Sequence, residues 1–252
     1  MRIVVVGGTG LVGSKVVDAL VAAGHDAVVA APSTGVNALT GEGLPQAVAG
    51  ASVVVDASNS PSADDELTRE FFCRSTANLL AAETAAGVGL HVVLSVVGAE
   101  RMAGDSGYLR AKVGQERLVA AGGIPYTIVH ATQFFEYLRT IVDAATVGDT
   151  VRLPPVAIRP IAAADVATAL VVAALDAPRR GVVEVGGPRE FMLPELVRTA
   201  LVARGDTRSV LADPAATYLG AVVDERTLVP GPDCVTYEAR IEDWIIETAA
   251  KG

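Results

Sequence analysis

Cysteine is nearly missing from this chain: Cys73 and Cys234 are the two in 252 residues. They lie far apart, so neither a disulfide framework nor a cysteine metal knuckle can be read from them, and reduced intracellular thiols are the expectation. Histidine is also scarce. His25, His91 and His130 match no H-E-x-x-H spacing, and no Asp/Glu/His cluster points to a metal. No apolar run reaches the roughly 18–20 residues that span a bilayer. The opening run after Met1-Arg2 meets Gly7 too early to form a signal-peptide core. These absences predict a cytoplasmic protein with no membrane partner. Basic charge is in deficit, 20 Lys and Arg against 29 Asp and Glu, a net −9. That balance speaks against a broad grip on nucleic-acid phosphates. No internal repeat and no low-complexity stretch occurs.

What is present is a long α/β rhythm. Hydrophobic residues make up 51% of the chain, enough for one large domain or a core with a small appended lobe. Ile3-Val4-Val5-Val6, Val53-Val54-Val55 and Val92-Val93-Leu94 are near-continuous apolar runs, as a sheet covered on both faces requires. Ala27–Ala31 and Tyr126–His130 are weaker strand candidates. Helices are expected over Leu11–Ala23, Asp65–Ala86 and Leu109–Ala121, with Gly24, Gly87 and Gly122 placed to stop them. Strands alternating with helices predict a Rossmann-type doubly wound parallel sheet, an α/β fold. Residues 1–150 would form this core and 151–252 a smaller C-terminal substrate lobe. Prolines punctuate that second part. A helix is expected over Val166–Leu175 with Asp165 as its cap, and helices over Leu193–Ala203 and Ile241–Ala249. A strand at Val182–Val185, near residues 182–186, could return to the sheet and end at the turn Gly186-Gly187-Pro188.

The strongest motif is Val6-Gly7-Gly8-Thr9-Gly10-Leu11-Val12-Gly13, between the first strand and the first helix. It fits G-x-x-G-x-x-G from Gly7 and G-x-G-x-x-G from Gly8. Glycine permits the tight turn and lets a pyrophosphate approach the backbone, while the helix N-terminus offers N–H groups and partial positive charge. Gly7, Thr9, Gly10, Leu11, Val12 and Gly13 are therefore candidate dinucleotide contacts, against the plainer alternative of a glycine-rich turn without a ligand. The second strand ends Ala30-Ala31-Pro32-Ser33-Thr34. It lacks the carboxylate that usually holds the ribose hydroxyls of NAD. With that repulsion missing and Ser33, Thr34 and Asn37 available as donors, the reading leans to NADP, with NAD still open. The third strand ends Asp56-Ala57-Ser58-Asn59, where Ala57, Ser58 and Asn59 would flank the adenosine half; the alternative is that Asp56 caps the next turn.

The candidate chemistry follows the fourth strand, which ends Ser95-Val96-Val97-Gly98. Tyr108 and Lys112 then stand four apart, one turn along a helix face. An ammonium beside a phenol stabilises the phenolate and lowers its pKa. Lys112 can also hold the nicotinamide ribose. Ser95 could orient a carbonyl oxygen, and Tyr108 could protonate the alkoxide as hydride arrives. The competing reading is a Tyr/Lys pair on a solvated helix face. His130 fits a buried structural histidine better than a catalytic one. Phe134, Phe135 and Tyr137 fit an apolar substrate wall and core packing equally.

The glycine turn, Ser95-Val96-Val97-Gly98, Tyr108-Leu109-Arg110-Ala111-Lys112 with Gln115-Glu116, and Ile124 to Val129 running into Ala131-Thr132-Gln133-Phe134-Phe135 together resemble an atypical short-chain dehydrogenase/reductase of the NmrA-like, NAD(P)-binding kind. Pro160 through Asp165-Val166-Ala167, and Val183 through Pro188, fit as well, so the likeness covers nearly the whole chain. It implies a Rossmann domain, a small substrate lobe and NADP(H). Carried over, Gly7, Gly10 and Gly13 would meet the pyrophosphate and Lys112 the nicotinamide ribose. Ala131, Thr132 and Phe134 would line the nicotinamide end. The chain departs from the family pattern at His130, where arginine is common, and near Ser33, where a basic residue is common. The expected function is an NADP(H)-dependent reductase acting on a small carbonyl, quinone or similar apolar compound. Some members of the family bind the dinucleotide as sensors and catalyse nothing, which is the alternative. The long helices allow a homodimer without requiring one.

Overall fold

The structure, a computed structural model, describes residues 1–249. Along the chain run β1 (Arg2–Val6), α1 (Gly13–Ala22), β2 (Asp26–Ala30), α2 (Leu44–Val48), β3 (Val53–Asp56), α3 (Asp65–Ala86), β4 (Leu90–Val96), α4 (Ala99–Met102) and α5 (Gly107–Ala121). They are followed by β5 (Tyr126–Ala131), α6 (Leu138–Ala144), β6 (Thr146–Val147), β7 (Thr150–Leu153), β8 (Ala157–Ile158), α7 (Ala163–Leu175) and β9 (Gly181–Gly186). The last are β10 (Phe191–Met192), α8 (Leu193–Ala203), β11 (Ser209–Ala212), β12 (Val235–Thr236) and α9 (Ile241–Ala249).

Seven strands form one parallel sheet in the order β12-β9-β5-β4-β3-β1-β2. The expected doubly wound α/β architecture is thus present, and the late strand does return to the sheet as β9. Every residue of β3 and four of the five in β1 are buried, because helices cover both faces of such a sheet. From β1 the chain goes outward to β2 and then crosses back to β3 on the other side of β1. This reversal leaves a crevice beyond the carboxyl ends of β1 and β3.

By its contacts the chain divides into two compact units built from interleaved segments rather than by one cut near residue 150. The first holds Met1–Val96, Gly107–His130 and Val166–Val183. Its core includes Val4, Val6, Leu44, Val48, Val54 and Leu79. Helix α3 starts on Asp64, whose carboxylate accepts from the Glu66 and Leu67 N–H groups at 3.0 Å each, and stops at Gly87 in the left-handed conformation. The second unit holds Val97–Ser106, Ala131–Asp165 and the chain from Glu184 onward. It contains the three-stranded sheet β11-β7-β6 and the pair β10-β8. Here Gly187 lies so close to the Pro160 carbonyl that a Cβ would sit 1.9 Å from its oxygen, the reason the predicted turn needs glycine.

Four expectations need correction. Helix α1 begins at Gly13 rather than Leu11, because Leu11 and Val12 belong to the turn. Gly123, with φ of +78°, takes the left-handed position after α5 instead of Gly122. Helix α5 begins at Gly107, two residues early, and Gly107 packs against Asp65 with no room for a side chain. Helix α7 begins at Ala163, so Asp165 lies in its first turn and accepts from the Ala239 N–H at 3.3 Å instead of capping the helix.

Candidate functional site

The glycine turn sits at the mouth of the crevice left by the strand reversal. Gly7 adopts φ of +74°, and a Cβ there would meet the Ala57 carbonyl oxygen at 2.8 Å and the Ser58 Cα at 2.9 Å. The turn after β1 is therefore pressed against the segment after β3. Gly10 N–H closes the turn on the Gly7 carbonyl at 2.9 Å. A Cβ on Gly13 would lie 2.2 Å from that carbonyl oxygen, so glycine lets α1 start directly on the turn. Thr9, Gly10 and Leu11 form an exposed tip, while Val12 and Gly13 are buried below it. A Cβ on Gly10 would meet only the Gly7 oxygen, at 3.3 Å, so the tip has an open side where an anion can reach the first N–H groups of α1.

After β3, the Asp56 carboxylate accepts from the Ser58 N–H at 2.9 Å, the turn-capping option. Ser58 Oγ is buried without a hydrogen-bond partner among the described residues, and Asn59 is exposed beside it. An exposed tip, an open Gly10 and an orphaned hydroxyl next to the turn suit a dinucleotide diphosphate. At the end of β2, Ser33 is exposed. The Thr34 hydroxyl accepts from the Ala31 N–H and faces the Val29 and Ala31 carbonyls. Asn37 accepts from Leu39 and Thr40 N–H groups. Both are thus engaged in shaping their own loop.

Helix α5 carries the expected Tyr108 and Lys112, and the fold supports the ammonium elaborately. Lys112 is 3% exposed. Its Nζ donates to the Leu94 carbonyl at 2.7 Å and to Gln115 Oε1, and lies 4.6 Å from the centre of the Phe72 ring. Gln115 Nε2 donates in turn to Asp56 Oδ2 at 2.9 Å. Burial pulls the Lys112 pKa down to about 8, against the charges of Asp56 and Glu116, which favour the ammonium. Tyr108 is 37% exposed and meets the same Phe72 ring edge-on, centres 5.9 Å apart.

Ser95 does something other than expected. It is 2% exposed, and its hydroxyl donates to Glu116 Oε1 rather than standing open toward a carbonyl oxygen. The same carboxylate oxygen lies 3.0 Å from His130 Nε2. Burial works against ionised Glu116, yet the His130 ring, the Ser95 hydroxyl and the Lys112 charge outweigh it and hold the carboxyl below its usual range. The sequence reading quoted Gln115-Glu116 as part of the family motif without giving either a role, and gave Phe72 none. The signal for Glu116 was its place four residues after Lys112; Phe72, far away in sequence on α3, left none.

In the second unit, Ala131 accepts from the Val97 N–H at 2.9 Å, and the Thr132 N–H donates to the Val185 carbonyl at 3.1 Å. Thr132 Oγ1 is buried without a hydrogen-bond partner among the described residues, as are both amide atoms of Gln133. Phe134 stacks on Tyr137 with centres 5.5 Å apart, and Phe135 is core. Among the described residues no group of His, Cys, Asp and Glu could hold a metal ion, and no helix is long and apolar enough to cross a membrane.

A glycine turn on a strand reversal defines a dinucleotide-binding α/β protein. The comparisons say which: a family model described as NAD(P)H-binding matches residues 7–178, and the chain belongs to that family. A comparison with curated proteins finds no match. Among solved structures, a short-chain dehydrogenase/reductase superfamily protein from Agrobacterium tumefaciens with bound NAD has a TM-score of 0.74 at 18% identity, covering 100% of this chain and 96% of that one. A dTDP-4-dehydrorhamnose reductase from Clostridium acetobutylicum has 0.72 at 16%, covering 98% of each. MoeE5 in complex with UDP-glucose and NAD has 0.71 at 18%, covering 97% of this chain and 92% of that one. At such identities the likeness is one of fold.

Proposed function

We propose that this chain is a nicotinamide-dependent reductase of the atypical short-chain dehydrogenase/reductase kind, NmrA-like, acting on a small carbonyl, quinone or similar apolar compound. The observation that carries it is the α5 pair: an accessible phenol one turn from a buried ammonium, both resting on Phe72. When bound, the nicotinamide supplies the hydride. Tyr108 gives its proton to the oxygen that becomes the alcohol. The Lys112 ammonium makes the resulting phenolate less costly. Lys112 and Gly7, Gly10 and Gly13 hold the dinucleotide, with Ala131, Thr132 and Phe134 proposed for its nicotinamide end.

The test is nucleotide oxidation with a panel of carbonyls, quinones and, since two of the similar structures are named for nucleotide-sugar ligands or reactions, 4-keto nucleotide sugars. Tyr108→Phe is expected to lower kcat about 10²-fold or more, the usual scale for a lost general acid. Full activity in that variant would remove Tyr108 from the chemistry.

For the cofactor, NADP(H) is favoured over NAD(H) because the Ala31–Gly35 turn carries no carboxylate to repel a 2′-phosphate and presents Ser33 to solvent. Calorimetry with all four nucleotides is expected to give at least tenfold tighter binding of the phosphorylated pair. Equal or tighter NAD(H) binding would reverse that preference and leave the dinucleotide reading intact. One observation favours the sensor alternative: the polar groups of Ser95 and Lys112 are already committed inside the fold. That reading expects discrimination between oxidised and reduced nucleotide with no turnover on any member of the panel.

A further inference from the structure

Glu116 has no part in the chemistry just described, yet three elements converge on it. It follows Lys112 by one helical turn and Tyr108 by two, so phenol, ammonium and carboxylate stack along one face of α5. From β4 the Ser95 hydroxyl donates to it, and from β5 the His130 ring lies against the same oxygen. Its side chain is 15% exposed. Packing alone gives no reason for a carboxylate here, since burying a charge is unfavourable unless it is compensated.

The groups around Lys112 show what it compensates. The two acceptors bonded to that ammonium, the Leu94 carbonyl and the Gln115 amide oxygen, are both neutral. From α3 the neighbour is the uncharged Phe72 ring. From β3 the charge of Asp56 arrives behind Gln115, which bonds to both groups. Among the described residues two negative charges therefore act on the lysine: Asp56, the stronger, and Glu116, on its own helix.

We propose that Glu116, clamped by Ser95 and His130, is a positioning residue for Lys112: together with Asp56, the carboxylate one turn along α5 helps keep the buried lysine charged and thereby tunes the acidity of the Tyr108 phenol. The second half of this statement rests on the reading of Tyr108 as the acid. The first half does not, and it can be measured with neither cofactor nor substrate.

The chain has three lysines, Lys15, Lys112 and Lys251. Protein labelled at lysine Cε therefore gives a short NMR spectrum, in which the Lys112 signal is the one lost in Lys112→Arg. Glu116→Gln keeps the shape and removes the charge, and is expected to move the Lys112 titration down by roughly one unit. Glu116→Asp keeps the charge but withdraws it by one methylene, and is expected to move it down by less. With substrate, the alkaline fall of kcat/KM moves to lower pH by the same interval in Glu116→Gln. An unchanged Lys112 titration in folded Glu116→Gln overturns the proposal. If that variant does not fold, Glu116→Asp decides, and no downward move there overturns it equally. A full-activity Tyr108→Phe alongside a shifted Lys112 titration would sink the proposed acid while the pairing of Glu116 with Lys112 stood.

Discussion

A methyl group added at Gly13 and one added at Gly10 meet very different surroundings. At Gly13 it would overlap the Gly7 carbonyl oxygen at 2.2 Å, whereas at Gly10 the same oxygen is 3.3 Å away and the rest is open. Gly13→Ala is therefore expected to push α1 off its turn, costing about 2 kcal/mol and lowering Tm by roughly 4–8 °C in a calorimetric scan. Gly10→Ala should leave Tm nearly unmoved and weaken nucleotide binding about tenfold, or ~1.4 kcal/mol, because the methyl stands where the diphosphate approaches. A Gly10→Ala variant with unaltered affinity would count against the tip as the anion site. A second residue-scale expectation concerns His91 and Glu83, both fully buried and bonded at 2.9 and 3.0 Å. Burial alone would lower the His91 pKa, but the Glu83 carboxylate outweighs it and raises it above 6.5. The folded state then holds a proton that the unfolded state releases first. This contribution to stability is complete below 6.5 and fades as pH climbs through the raised value. Denaturant midpoints followed upward from pH 6 should show the decline, and His91→Asn should lack it. At this scale the sequence was legible where placement follows spacing: Tyr108 and Lys112 do stand one turn apart on α5. Phe72 and the Ser95–Glu116 bond depend on which elements pack together, which spacing does not encode.

At the scale of elements, ends were harder to read than interiors. Asp65–Ala86 agreed with the structure to the residue: Gly87 supplies the expected left-handed stop, and the structure adds a local start in the Asp64 cap, which the sequence reading did not name. Asp64→Ala should remove two N–H acceptors and cost about 1 kcal/mol, measured by chemical denaturation; a change under about 0.3 kcal/mol would mean that α3 is held by packing alone. Helix α5 was misread at its start because glycine is a poor helix former, and what retains Gly107 there is a neighbour on another helix, Asp65. The same applies to α7, where Asp165 has the chemistry of a cap but is engaged by Ala239. The two- to four-residue strands β6, β7, β8, β10, β11 and β12 left no periodic pattern long enough to register.

At the scale of the molecule, alternation of strand and helix was enough to foresee the doubly wound parallel sheet, since handed crossovers leave few other topologies. The interleaving of the two units was not foreseeable, because it depends on which later segments return to earlier ones. Nucleotide binding should be visible in the global unfolding transition. At a nucleotide concentration of 100 times Kd, about 2.7 kcal/mol of added stability is expected, which for a chain of this size raises Tm by roughly 5–10 °C. No shift with any of the four pyridine nucleotides would remove the foundation of both functional readings. The ends of the sheet have a further consequence. On one side it finishes with β12, a pair of residues aligned on Val185 and Gly186; on the other with β2, which starts at the charged Asp26 tied to Arg2. A foreign strand seeking to lengthen the sheet would find a ladder two rungs long at one margin and an ionised first rung at the other, so concentrated solutions of the folded chain should resist edge-to-edge polymerisation.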